Sequence, residues 1–149
     1  DGWAPVVAWL QEQGYTVVNF SREGDGYMGN PNPVGAQRLA SYDSLDVMRE
    51  LRKCAAFVGL PSGLSWLAWA LRVPTVIIEG ATPMVSLPSD VVKVESQANV
   101  CRECFARYRL VKDRWDWCPD HQDDAQKFEC TKTVTAQDVI AQLQLVLCP

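Results

Sequence analysis

The chain has 149 residues, 48% of them hydrophobic and 21% charged, which suits one globular domain with a core of its own. Fourteen basic residues against 18 acidic ones leave a net charge of −4, which speaks against nucleic acid as a partner. No apolar run reaches the roughly 20 residues of a membrane span and there is no signal-peptide pattern, so no membrane span is expected.

The chain opens Asp1-Gly2-Trp3 rather than with Met, as a processed or truncated product would, so a missing N-terminal part is expected. Residues 4–13 read as an amphipathic helix closed by Gly14, and residues 15–20 as a strand. A long loop follows to Pro33, leaving the carboxyl end of that strand, and loops of this length in compact domains are often functional. Asp43 or Ser44 starts a helix over 45–54, with Leu45, Met48 and Leu51 at helical spacing and Cys54 as a core thiol. Residues 91–94 read as a further strand. Thr135 and Asp138 form a variant capping box for a last helix over 136–147, with Val139, Leu143, Val146 and Leu147 on its buried face.

Residues 57–80, FVGLPSGLSWLAWALRVPTVIIEG, organise the rest. An apolar strand ends near Leu60, Pro61-Ser62-Gly63 turns, and an apolar helix runs to about Arg72. Val73-Pro74 breaks that helix before the β-branched strand 75–78. This is the βαβ crossover of a parallel sheet, in which ligands sit beyond the carboxyl ends of the strands. Ser62 is placed to cap the helix, and Gly63 leaves the backbone open to a ligand. The free N–H groups of the first turn and the helix dipole then suit a phosphate. The opposing reading, that Ser62 only caps and Gly63 only permits close packing, stands level with it. Neither a GxSxG elbow nor a Gly-Lys-Ser/Thr loop is present. Trp66 is the residue of this helix placed to wall a pocket, and residues 80–84 form a second loop on the same side.

Between Cys101 and Cys130 the spacing is C-x2-C, thirteen residues, Cys118, eleven residues, Cys130. Such spacing is that of a tetrahedral thiolate site for zinc or iron, structural because four protein ligands leave no open position. His121, the only histidine, competes with Cys130 as fourth ligand, the all-cysteine set being preferred; disulfides are the alternative to a metal. The basic cluster Arg102, Arg107, Arg109, Lys112 and Arg114 reads as a solvated face.

Residues 57–71 resemble the nucleotide-sugar segment of the ADP-heptose glycosyltransferases, which commonly reads like DTGLSHLAAAL. Gly63, Leu64 and Ser65 match, whereas Pro61, Ser62 and Trp66 stand in place of Asp, Thr and His. With CxxC, WCPDH (117–121) and FEC (128–130), the wording is similar to that of the autotransporter O-heptosyltransferases over most of the chain. The resemblance implies an α/β fold: a Rossmann-like parallel sheet, the C-terminal donor-binding half of a GT-B glycosyltransferase, with an inserted metal finger at about 99–131. It implies iron at Cys101, Cys104, Cys118 and Cys130, with zinc as runner-up. It implies ADP-heptose as donor, its diphosphate on Ser62, Gly63, Leu64 and Ser65, its nucleoside on Glu23, and Thr82 close by. An autotransporter acceptor protein, a cytoplasmic setting and a homo-oligomer are expected. The family's catalytic base lies in the half this chain lacks, so no catalytic residue is assigned here. A missing half or partner subunit would meet the exposed side of the Trp66–Trp69 helix. Two rivals are a metal-stapled interaction domain without catalysis and an NAD-dependent protein deacylase. The latter lacks both a GxGxxG turn and a spare histidine.

Overall fold

The computed structural model describes residues 2–21, 32–109 and 117–147. Its centre is the strand Thr75–Ile78, β-branched throughout and buried at all four positions, as only a strand covered on both faces and both edges can be. Numbered in chain order, the helices and strands are α1 (Trp3–Glu12), β1 (Val18–Asn19), β2 (Gln37–Arg38), α2 (Ser44–Leu51), β3 (Phe57–Gly59), α3 (Gly63–Ala70), β4 (Thr75–Ile78), β5 (Val92–Val94), α4 (Cys104–Arg107), α5 (Glu129–Lys132) and α6 (Ala136–Leu147).

β3 and β5 lie parallel to β4 on either side, with Val58 opposite Val76 and Ile77 opposite Lys93. Side chains alternate between the faces. Val76, Ile78 and Val94 meet Val6 of α1 and Val139 and Leu143 of α6 on one side. On the other side Phe57 packs with Ala68 of α3, Val47 and Leu51 of α2, and Val73. The fold is therefore α/β in three layers, as expected. Its described strands form two parallel sheets rather than one, because β1 pairs with β2 apart from the β3-β4-β5 sheet. The sequence reading did not contain β2. Gln37 and Arg38 are exposed and lack any apolar alternation; a turn from Pro33 to Ala36, with Gly35 at φ 86°, delivers Gln37 N–H to the Val17 carbonyl.

The helix ends follow local chemistry. After α1, Gly14 (φ 85°) donates to Gln11 and Tyr15 donates to Leu10, the pair of bonds that makes a Schellman motif. Asp43 caps α2 by accepting from Leu45 N–H at 2.9 Å. That helix stops at Leu51 rather than at Cys54, the last residues tightening into turns bonded three residues back. Thr135 and Asp138 exchange bonds at 2.8 and 3.2 Å, so α6 begins where the capping box predicts.

Helix α3 ends at Ala70, two residues before the expected Arg72. Arg72 takes the left-handed conformation (φ 61°) and donates to Trp69, while Val73 donates to Ala68. This is the same closing motif built without a glycine. The left-handed backbone costs an L residue roughly 1–2 kcal/mol, partly offset in a glycine by the greater freedom of its unfolded chain. Arg72→Gly is therefore expected to stabilise the protein by about 0.5–1 kcal/mol in urea unfolding. Loss of stability would show that the arginine side chain matters more than its backbone.

Candidate functional site

The turn between β3 and α3 stands at the carboxyl end of the sheet. The first bond inside α3 runs from Trp66 N–H to the Ser62 carbonyl at 3.2 Å, leaving the N–H groups of Gly63, Leu64 and Ser65 without an intrahelical acceptor. Ser62 does not cap the helix, contrary to the sequence expectation. In its extended conformation its hydroxyl lies 3.4 Å from that of Ser65 instead. Ser65, fully buried, donates its hydroxyl to the Leu60 carbonyl and so holds the turn closed. Its side chain is a brace for the turn.

Gly63 distinguishes the two readings of this turn. A Cβ built there would meet nothing within 4 Å, and its φ is not positive. Neither packing nor backbone conformation demands glycine at this point. Trp66, exposed at 42%, stands edge-on to Trp69 at 5.6 Å, and Trp69 Nε1 donates to Asp90. The pair forms an apolar patch beside the turn, together with exposed Leu60.

Beyond β4 the chain reaches the second site loop. Thr82 lines a cavity of about 280 Å³ together with Glu79, Gly80, Glu95, Arg102 and Glu103. Sequence reasoning missed Glu79 and Arg102. Glu79 is only 7% exposed, and burial pushes its carboxyl pKa up, Lys93 pulling it down and Glu95 and Glu103 adding to the rise. Lys93 Nζ stands 3.7 Å from Oε1, beyond hydrogen-bond reach. The available signal was an acidic residue at the end of a continuous β-branched run, where a buried strand must close. A hollow of about 310 Å³ lies elsewhere, between β5 and the polar face of α6, and contains none of the predicted site residues. Glu23 falls outside the described residues.

The four cysteines of the thiol segment are gathered beneath this loop. Cys104, Cys118 and Cys130 are buried and none of the four is in a disulfide. Burial pushes the Cys104 thiol up to about 11, with Cys118, Asp120, Cys101 and Cys130 adding to the rise. Burial likewise raises Cys130, with Cys101 and Cys118 contributing. Cys101 is raised by burial, Asp120 and Cys118. Glu103 and Phe128, neither of them glycine, adopt left-handed backbones just before Cys104 and Cys130, and Phe128 N–H donates to Cys118 Sγ at 3.5 Å. Strain of this kind, repeated in the two cysteine loops, marks a segment shaped around its sulfurs. Even so, among the described residues no three Cys, His, Asp or Glu side chains converge as a metal would hold them. His121 turns its Nδ1 to Asp124 at 2.9 Å.

No family model matches the chain. It is 37% identical over 147 residues to the autotransporter heptosyltransferase TibC of Escherichia coli O78:H11 (strain H10407), a match covering 93% of this chain and 35% of TibC. It is 27% identical over 151 residues to the inactive autotransporter heptosyltransferase BimC of Burkholderia thailandensis, covering 93% of this chain and 34% of BimC. The crystal structure of dodecameric, iron-containing TibC in complex with ADP-D-beta-D-heptose superposes with a TM-score of 0.86 at 33% identity, over 97% of this chain and 39% of that one. The chain thus spans a little over a third of the length of these proteins. Across nearly all of its own length it is related, in sequence and in fold, to the autotransporter heptosyltransferases.

Proposed function

We propose that this chain is the donor-binding part of a heptosyltransferase of GT-B type, taking an ADP-activated heptose at the carboxyl end of β3. The observation that carries the reading is the turn at Gly63: three main-chain N–H groups without intrahelical acceptors at the positive end of a helix, with open space beside Gly63. The likeness to a heptosyltransferase solved with ADP-D-beta-D-heptose supports it. In this account the N–H groups of Gly63, Leu64 and Ser65 hold the diphosphate, with Ser62 and Thr82 at the margins and Glu23 on the nucleoside.

The same donors would serve the transfer itself. A Ser/Thr hydroxyl of an autotransporter acceptor attacks the anomeric carbon, the bond from that carbon to the diphosphate oxygen breaks, and ADP departs. Negative charge grows on the departing diphosphate, where the helix N-terminus is already aimed. The hydroxyl proton goes to a base outside this chain, since no catalytic residue is assigned here. The base and acceptor would arrive with a further part of the protein or a partner subunit. The exposed Trp66–Trp69 patch is the proposed contact. A homo-oligomer is proposed by likeness to dodecameric TibC. A cytoplasmic setting fits the thiols free of disulfides. No helix among the described residues is long and apolar enough to cross a membrane.

Iron at Cys101, Cys104, Cys118 and Cys130 completes the proposal. Soft thiolates suit iron or zinc, TibC is iron-containing, and the four thiols share one neighbourhood. The metal would supply no step of the transfer; it would neutralise thiolates and brace a segment with little core of its own. The interaction-domain reading draws on the same exposed tryptophans and on the inactive relative BimC, and it differs in predicting no nucleotide affinity. The deacylase reading has no GxGxxG turn to draw on, and the one histidine, His121, lies in the thiol segment.

Calorimetric titration is expected to show binding of ADP and ADP-heptose but not NAD. Gly63→Ala is expected to weaken both bound ligands about tenfold, or roughly 1.4 kcal/mol, at unchanged thermal stability. Equal affinity in the variant would remove the diphosphate from this turn. Protein purified without added metal is expected to carry about one tightly held ion per chain, with iron–thiolate absorption in the visible. Cys118→Ser should lose both ion and colour; a colourless zinc protein would correct the metal, and metal-free folded protein would remove the site.

A further inference from the structure

The cavity at the ends of β4 and β5 contains two groups that the diphosphate reading leaves unused. Glu79 Oε1 and Arg102 Nε are both buried and both lack a hydrogen-bond partner among the described residues. Each belongs to a residue lining the same cavity of about 280 Å³. The other atoms of Arg102 are committed: one terminal nitrogen stands 3.2 Å from Glu95 Oε2 and the other donates to the Ser96 carbonyl. This holds the guanidinium in place and leaves its Nε–H as a fixed donor. The Glu79 backbone is held as firmly, its N–H donating to Val94 at 2.7 Å.

The strand register places this pair on the same side of the sheet as the α3 turn. Phe57 is opposite Thr75, Gly59 opposite Ile77, and Ile77 opposite Lys93, so these residues share the face on which α3 lies. Alternation carries Glu79 to that face, where its contact with Lys93 also puts it. β4 neighbours β3, whose carboxyl end feeds the turn, so the two features stand at the carboxyl end of one sheet. A buried acceptor and a buried donor without hydrogen-bond partners, on two residues that line one hollow, form a half-made recognition pair. A hollow of this size is at the low end of those that hold whole small molecules, and suits one end of a larger one.

We propose that Glu79 and Arg102 form a hydroxyl-reading subsite, in which the Glu79 carboxylate accepts from one hydroxyl of a vicinal diol and the Arg102 Nε–H donates to its neighbour. The inference rests on the donor-binding reading and deepens it: the diol belongs to the sugar nucleotide whose diphosphate lies at α3. Both the ribose and the transferred heptose carry such diols. Thr82, on the same wall, closes the subsite from the β4 loop.

The test titrates the wild-type chain and Glu79→Gln with ADP and with ADP-D-beta-D-heptose, with thermal unfolding of both proteins alongside. The amide keeps the shape of the carboxylate and removes its charge and one acceptor. Glu79→Gln is expected to bind ADP-heptose about tenfold more weakly. If ADP is unaffected, the diol is the heptose's; if ADP weakens equally, it is the ribose's. Unchanged affinity for both ligands overturns the subsite while leaving the diphosphate site standing. A wild-type chain that binds neither ligand removes the donor-binding reading, and the subsite with it. Should the variant be unstable, the Arg102 Nε–H resonance of the wild-type protein gives the answer: it is expected to shift on saturation with ADP-heptose, and a stationary signal overturns the proposal.

Discussion

Just beyond the central strand stands a glycine, Gly80, because nothing larger fits. A Cβ on Gly80 would lie 2.6 Å from Thr131 Cγ2 and 3.3 Å from Cys130 Sγ. The thiol segment is therefore pressed directly onto the carboxyl end of β4, and two main-chain bonds stitch it there: Glu103 N–H to Gly80 at 2.9 Å and Phe105 N–H to Ala81 at 3.0 Å. From the far side Ser96 Oγ and Thr133 Oγ1, 2.6 Å apart, tie the end of β5 to the approach to α6. The segment is thus part of the wall of the ligand side. Arg102, inside the Cys101–Cys104 pair, reaches the hollow only because that stitch brings it there.

This arrangement gives the cysteines a second consequence. Each left-handed non-glycine residue in the cysteine loops, Glu103 and Phe128, costs roughly 1–2 kcal/mol that the surrounding structure must offset. Burial raises the thiols of Cys101, Cys104 and Cys130, with Cys104 pushed up to about 11, and a cation bound there would favour the thiolate forms that burial disfavours. On this account the metal and the donor loop are coupled through main-chain bonds rather than through chemistry. Loosening one end would disturb the other.

The parts of the fold legible in sequence were those that local chemistry decides. The Thr135/Asp138 box set the start of α6, and Val73-Pro74 with the β-branched run after it set β4. Helix α3 was seen, but not its closure at Arg72, since an arginine in left-handed backbone has no compositional mark. β2 is held by main-chain pairing alone, so its side chains carry no pattern to read. At the site, the position of Gly63 was readable from its neighbours. The loss of the Ser62 cap depends on Ser65 reaching back to Leu60, and it emerges only in three dimensions. Glu79 and Arg102 lie 23 residues apart in sequence and meet through strand register and the Gly80 stitch.

The central claim is that the first-turn N–H groups of α3 grip the diphosphate of a sugar nucleotide. A crystal structure of this chain grown with ADP-D-beta-D-heptose tests it most directly. The account predicts diphosphate density within hydrogen-bond distance of the main-chain nitrogens of Gly63, Leu64 and Ser65. Density for the nucleotide elsewhere, with that turn covered by the protein's own side chains, would contradict it.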